Sequence, residues 1–435
     1  MSQRVTVAPF HRRILPWIFI VVFLAVAPAV VFYTAGYRYN SKKGKVERNG
    51  TVILDTVPTG ATITIDGQPF TSKSPVTIQD MAPGLHRFSM ERDGYHPWGK
   101  SLDVRSELVT FANNVWLWLD AQPFLKSPGD TLLLSSSPDH KTVLQLTAAT
   151  PTQAIVMDVS GAALATFSFG KNIVRGTQTF WSPNNRYVLL EAPATTGTTW
   201  LVDIRAAHAP QELPAGNYRW EGSELVGTDG ISRLTISLSD FAVTTAILPP
   251  HTTDTISGAT LQTAPGTGRV VYVANSDPTQ GYVLPSGDWH FWATEKNSVV
   301  LRDASRWLSL STKTTPPQYR AASGDMLRAF TTSGLTHNLL VNGTEIWTWD
   351  TVSDPQLIYR QSEPIVGAEW HTAGYDIFFA TAHDVYALNL DARDGYFLTP
   401  LAHFDQITNF TALPKQLYIG GTKDGQTGIW TLDVQ

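Results

Sequence analysis

The 435-residue chain carries 11 histidines and 37 acidic residues, the usual raw material for metal binding and proton transfer. No two histidines of its strand-rich part share an H-x-H or H-E-x-x-H spacing, so neither zinc pattern is present. Asp391-Ala392-Arg393-Asp394-Gly395 has the look of a calcium loop, but Arg393 opposes a cation and no bidentate Glu follows at the twelfth position. A charged turn is expected there. Gly420-Gly421-Thr422-Lys423-Asp424-Gly425 lacks the G-x-x-x-x-G-K-S/T spacing of a phosphate cradle and reads as a hairpin turn. There is no G-x-S-x-G elbow for a serine hydrolase. The absence of cysteine excludes disulfides, thiolate metal sites and cysteine nucleophiles. No catalytic, metal or cofactor-binding residue is assigned, and no cofactor is expected.

Two features keep chemistry in view. Carboxylates are numerous enough for the fold to bring two together, as glycoside hydrolysis requires. A tethered hydrolase of glycans or peptides is therefore the alternative to a binding protein. Tryptophans also come in close pairs: Trp116 with Trp118, Trp289 with Trp292, and Trp347 with Trp349. At i, i+2 both rings share one face of a strand. Trp289, Trp292, Trp347 and Trp349 form a candidate aromatic platform for sugars or peptides; the competing reading is packing between sheets.

The elements that must position these residues follow from composition. Charged residues make up 16% of the chain, against roughly 25% in an average soluble protein. The net charge of −5 leaves no broad cationic face, so nucleic acid is excluded as a partner. From Ile14 to Tyr33 no residue is charged, and the run is long enough to cross a hydrocarbon core of about 30 Å. Trp17 at one end and Tyr33, Tyr37 and Tyr39 at the other suit an aromatic belt. A membrane anchor is expected over a cleaved signal at Ala27-Pro28-Ala29, because Val30, Val31 and Phe32 prolong the run beyond that site. Arg4, Arg12 and Arg13 precede the span, while Arg38, Lys42, Lys43, Lys45 and Arg48 follow it. That count favours a cytoplasmic bulk. A sole N-terminal span nevertheless behaves as a signal-anchor, and long domains translocate largely regardless of charge. The expected topology is a cytoplasmic N-terminus with the bulk extracytoplasmic.

Beyond a polar stem, Val52 and Leu54, then Ile63 and Ile65, alternate at period two and predict strands. Pro58-Thr59-Gly60-Ala61, Asp66-Gly67, Pro83-Gly84, Gly94-Tyr95 and Trp98 are spaced among them as turn and packing residues. This set resembles the PEGA domain, with Thr59 where the name-giving Glu would stand. The resemblance implies a small β-sandwich acting as an adaptor or spacer, with no catalytic residues. The wider arrangement of anchor, PEGA-like unit and long β tail resembles membrane-anchored proteins of candidate-phylum bacteria.

From residue 120 onward short strands alternate with Gly, Pro, Asn, Asp and Ser. Turns at Pro138, Pro183, Gly222 and Pro265 recur about 40–45 residues apart, a spacing suited to four-stranded propeller blades. The Trp181-Ser182-Pro183 pattern and the strand after it resemble TolB- and WD40-like blades. The expected fold class is all-β: one transmembrane helix, a small PEGA-like β-sandwich, then a β-propeller of about seven blades, with six to eight compatible. The expected divisions are a cytoplasmic segment 1–13, a transmembrane helix 14–36, a stem 37–50, a PEGA-like domain 51–119 and a propeller 120–435. The lipid bilayer, through residues 14–36, and a protein or cell-wall polymer are the expected partners. A purely architectural envelope role is a third reading.

Overall fold

A long uncharged apolar run satisfies its backbone in lipid only as a helix, and in the computed structural model helix α1 spans Phe10–Thr34. The structure describes all residues except 1–9, 35–36, 41–44, 194–195, 206–207, 296–297, 315–316 and 333–334. With 25 residues, α1 is about 37 Å long at 1.5 Å per residue, enough to cross a membrane. Trp17, Phe19, Phe23 and Phe32 on it are exposed.

The chain forms two units, Met1–Leu119 with Asp391–Phe397, and Asp120–Leu390 with Leu398–Gln435. In the first, α1 is followed by the hairpin β1 (Tyr37–Asn40) and β2 (Lys45–Arg48). Seven strands then build two sheets: β3 (Gly50–Val57), β4 (Thr62–Ile65), β5 (Gln68–Pro69), β6 (Val76–Met81), β7 (Gly84–Glu91), β8 (Trp98–Val104) and β9 (Val109–Trp116). One sheet has the order β6-β3-β9 and the other β5-β4-β7-β8. β3 and β9 run parallel, with Thr51 opposite Val109. Alternation along β3 turns Val52 and Leu54 inward, onto Ile63, Phe88, Met90, Trp98 and Leu102 of the facing sheet. Each such side chain contributes about 1.5–3 kcal/mol by leaving water.

The turn residues have specific tasks. Gly60 adopts φ +89°, a conformation that a side chain would strain. Its N–H donates to Ser74 O at 2.7 Å, while Ser74 Oγ accepts from Ala61 N at 3.0 Å. Asp66 Oδ1 accepts from Arg87 N at 2.9 Å and Oδ2 meets His86 Nδ1 at 2.7 Å, tying this turn to β7. Pro83 and Gly84 lead into β7, Tyr95 bridges to Leu119, and Trp98 is buried.

Lys100 is 1% exposed, an unusual position for an ammonium. It donates to the carbonyls of Asp391, of Arg393 at 3.0 Å and of Gly395 at 2.7 Å. The loop with a calcium-binding look thus does surround a cation with carbonyls, and the cation is Lys100. Asp394 Oδ2 accepts from Ser101 N at 2.7 Å, and Phe397 packs against Trp98 at 6.1 Å. Burial pushes the Asp391 carboxyl up, but the hydrogen bonds and charge of Arg393 outweigh it and hold the group below its ordinary range.

The second unit is a ring of eight four-stranded sheets among the described residues. Their first strands are Thr131–Ser136, Gln178–Trp181, Asn217–Glu221, Thr252–Ile256, His290–Glu295, Asp325–Thr332, Ile365–Trp370 and Gln406–Ala412, numbered here as blades 1 to 8. Seven blades use four consecutive strands; blade 8 takes its outermost strand, Phe124–Pro128, from the other end of the unit. Neighbouring blades share cores: Leu133 and Val188 join blades 1 and 2, while Leu134 and Tyr418 join blades 1 and 8. The unit is a β-propeller of eight blades, one more than the central expectation of about seven. Eight lies within the expected range of six to eight; the spacing pointed to about seven because the marked turns are not in phase. Pro138, Pro183, Gly222, Ala373 and Pro414 lie in the first turns of their blades, whereas Pro265 lies in the second turn of blade 4.

Those first turns share a pattern. Ser137 N donates to Thr142 O, Ser182 N to Tyr187 O and His371 N to Asp376 O, at 2.8–2.9 Å. In blades 1 and 2 the serine hydroxyl also bonds Asp139 or Asn184 at 2.7 Å. In blade 7 a buried imidazole replaces the hydroxyl, and burial first, then His140, lowers the His371 pKa to about 4. The folded state therefore keeps this histidine neutral where the unfolded chain takes up a proton.

Two outcomes are expected. Lys100→Met, which strips the ammonium from its carbonyls, should cost about 2–3 kcal/mol in thermal unfolding of the full chain. Between pH 6.5 and 4, His371 should withdraw about 3 kcal/mol of stability, fully present above pH 6.5. In denaturant titrations at stepped pH, His371→Gln should flatten that part of the profile.

Candidate functional site

First strands lie innermost: in seven blades they contact first strands of other blades, and in blade 2 Gln178 bonds Asp325 on the first strand of blade 6. Their leading ends therefore gather at one face of the propeller. Asp130, Gln178, Asn217, His290, Asp325 and Gln406 stand at or just before these ends, a polar set that no local spacing announced.

Blades 2 and 5 meet directly at this face. Arg302, on the second strand of blade 5, donates to Glu191 Oε2 at 3.0 Å and Oε1 at 3.3 Å, and to Gln178 Oε1 at 3.0 Å. Gln178 Nε2 donates onward to Asp325 Oδ1 of blade 6 at 3.3 Å. The guanidinium lies 4.9 Å from the ring centre of Phe180, 5.3 Å from Trp292 and 5.7 Å from Trp307. Phe180 and Trp292 pack edge to face at 4.9 Å. A planar cation suits both surroundings, since its fork matches the carboxylate while its face lies on the rings.

Blades 3 and 5 touch as well. Asn217 Nδ2 and His290 Nε2 are 3.0 Å apart. Arg219, 2% exposed, donates to Asp254 Oδ1 and Oδ2 at 3.0 and 2.9 Å and to Glu221 Oε1 at 2.6 Å. Asp254 Oδ2 also accepts from Phe291 N at 2.9 Å. A buried pair of this kind holds because every charge is met by donors or acceptors of fixed geometry.

Beside blade 8 on the same face is a hollow of about 600 Å³, lined by Asp130, Arg175, Gln406, Thr408 and Thr422 among others. Arg175 spans both oxygens of Asp130 at 3.0 and 2.8 Å. The three carboxylates Asp130, Glu191 and Asp325 are thus each bonded to a guanidinium or an amide. Such carboxylates are held as acceptors by donors of fixed geometry. Among the described residues no group of three or more His, Asp or Glu is arranged to hold a metal ion.

Of the tryptophans expected as a platform, three come together and one lies apart. Trp289 is buried with Phe291 and Leu301, and its Nε1 donates to Pro285 O at 2.8 Å. Trp292 is half-buried on Phe180 and Arg302, with Trp307 at 5.5 Å. Trp349 is buried with Val300, Trp307 and Leu340, and half-buried Trp347 packs on the same cluster. Trp347 Nε1 donates to Glu345 Oε2 at 2.9 Å. Trp292, Trp347 and Trp349 therefore share one cluster between blades 5 and 6, and Trp289 belongs to another. The residues that sequence reasoning missed, Arg302, Glu191, Gln178 and Phe180, come together only across the ring.

With the geometry in place, residues 49–115 match the PEGA domain. That stretch is the two-sheet part of the first unit. No curated protein matches the chain. Among solved structures, the C-terminal WD40 domain of Sif2 is similar at 11% identity, covering 72% of this chain and 97% of that one with a TM-score of 0.46. Apo AztD from Citrobacter koseri is similar at 13% identity over 65% of this chain and 96% of that chain, TM-score 0.42. BamB from Moraxella catarrhalis shows 11% identity over 72% and 100%, TM-score 0.39.

The aromatic contacts, more than the pair with partly exposed Glu191, should dominate at Arg302. Arg302→Lys, which keeps charge but loses the fork and the ring stacking, should cost about 1–2 kcal/mol in denaturant unfolding. Glu191→Gln should cost less than about 1 kcal/mol. The reverse order would show that the carboxylate sets the contact.

Proposed function

We propose that this chain is a membrane-anchored extracytoplasmic binding or scaffold protein. Its helix fixes it in the bilayer with the N-terminus cytoplasmic, its PEGA-like stalk sets distance, and its propeller recognises a protein or a cell-envelope polymer. The divisions of labour are 14–36 for the anchor, 51–119 for the stalk and 120–435 for the propeller. The observation that carries the reading is the state of the carboxylates at the leading face. Asp130, Glu191 and Asp325 are engaged by Arg175, Arg302 and Gln178. A face of positioned donors and acceptors beside a shallow hollow suits recognition more than proton transfer. The PEGA match at residues 49–115 supports a spacer role, because that resemblance brings no catalytic residues.

The test has two arms. In intact cells, external protease should digest residues 120–435; protection until lysis would overturn the proposed orientation. The full chain in nanodiscs should bind purified wall polymer or a cross-linked envelope protein, and Arg175→Glu should weaken that binding at least tenfold (about 1.4 kcal/mol). Turnover of glycan or peptide substrates that disappears in Glu191→Gln would replace recognition with hydrolysis.

A further inference from the structure

The first unit contains a continuous set of contacts from the end of α1 to one edge of its sandwich. Phe32, in the last turn of the helix, packs edge to face on Tyr37 at 5.3 Å. Arg48 lies opposite Tyr37 in the hairpin, with its guanidinium 4.7 Å from the ring centre. Arg48 in turn pairs with Glu107 at 3.1 Å, and its carbonyl accepts from Ser106 Oγ at 2.7 Å. Glu107 N donates to Asn49 O at 3.1 Å and Thr51 N to Leu108 O at 3.0 Å. The loop between β8 and β9 is thereby tied to the helix end through two side chains, Tyr37 and Arg48.

This edge is also the apolar one. Leu85 is 71% exposed, Leu108 53% and Phe111 46%, with Val109 exposed beside them. They belong to adjoining strands: Leu85 lies opposite Asp103 at the end of β8, and β9 begins at Val109. Leu85, Leu108, Val109 and Phe111 line a hollow of about 500 Å³ that Arg105 and Arg393 also border. Of the nearby acids, Asp103 pairs with Arg105 at 3.2 Å and Glu107 with Arg48, while Asp394, which also borders the hollow, accepts from Ser101 N. Clustered apolar side chains rimmed by arginines, held next to the end of an apolar helix, fit the boundary between headgroups and acyl chains. The leucines and phenylalanine leave water there while the guanidiniums stay at phosphate level.

We infer that this edge is a lipid-contacting surface: Leu85, Leu108, Val109 and Phe111 seat in the interface of the bilayer that α1 crosses, and so fix the tilt of the sandwich on the membrane. The inference rests on the reading of α1 as a membrane span. It holds for either orientation of the chain.

The chain has no native cysteine, so single spin labels report cleanly. Leu24→Cys, Leu85→Cys, Leu108→Cys and Asp93→Cys full-length chains would be labelled and reconstituted in vesicles of phosphatidylcholine and phosphatidylglycerol. Asp93 stands in the turn at the far end of β7, about 26 Å from Leu85 at roughly 3.3 Å per residue. Collision rates with oxygen and with a water-soluble nickel chelate would be measured. The labels at 85 and 108 should show an oxygen-to-nickel ratio several-fold above that at 93, approaching that at 24. If 24 is immersed but 85 and 108 match 93, the edge lies in water and the inference fails alone. A water-exposed label at 24 would remove the span reading and the inference with it. Dipolar broadening between labels at 108 would show a second copy covering the edge, and would also overturn the proposal.

Discussion

The eighth blade closes the ring, and the propeller depends on that closure. Phe124–Pro128 adds itself to Gln426–Asp433 with Leu125 opposite Trp430 and Pro128 opposite Gly428. Gly129 N continues the ladder onto Thr427 O at 3.0 Å. A Cβ at Gly428 would come within 2.4 Å of Ser127 O and Leu125 Cδ1, so only glycine lets the strand approach. With no cysteine in the chain, no covalent clasp shares this task. Every other blade is made of local hairpins, whereas this one must wait until the two ends of the unit meet.

Closure brings remote residues together, and the interior is polar where that happens. Thr411 of blade 8 donates to Glu369 of blade 7 at 2.8 Å and serves Ser136 of blade 1. Arg219 joins blades 3, 4 and 5 through Asp254 and the Phe291 backbone, and Arg302 joins blades 5 and 2. Desolvated charges are costly when unpaired, which makes these bonds selective for one arrangement of the ring. In the first unit the same logic operates on Lys100, whose ammonium is met by main-chain carbonyls.

Much of the fold was legible in the residues. The run from Ile14 to Tyr33 has only one structure compatible with lipid. Period-two alternation at Val52, Leu54 and Ile63 showed the sandwich strands, and Gly60, Asp66 and Gly94 showed their turns. These are local rules, satisfied within a few residues of chain. The blade number was less legible because a turn residue marks a turn without saying which one: Pro265 serves the second turn of its blade and Pro183 the first. Of the leading face almost nothing could be read. Gln178 and Asp325 are 147 residues apart, and Arg302 and Glu191 are 111 apart. The tryptophan pairs were visible, but their partners were not: Trp289 and Trp292, three residues apart, point into different clusters.

The sequence by itself determined an apolar helix, an all-β body without cysteines, and a turn-rich segment of PEGA type, because each depends on nearest-neighbour backbone and side-chain preferences. Tertiary structure alone decided that the ring has eight blades, that its leading face sets carboxylates against guanidiniums, and that the loop at Asp391 surrounds Lys100. Those outcomes depend on which strand edges find each other after closure. That choice is made by shape and by the pairing of buried charge, and neither quantity is carried by any one stretch of chain.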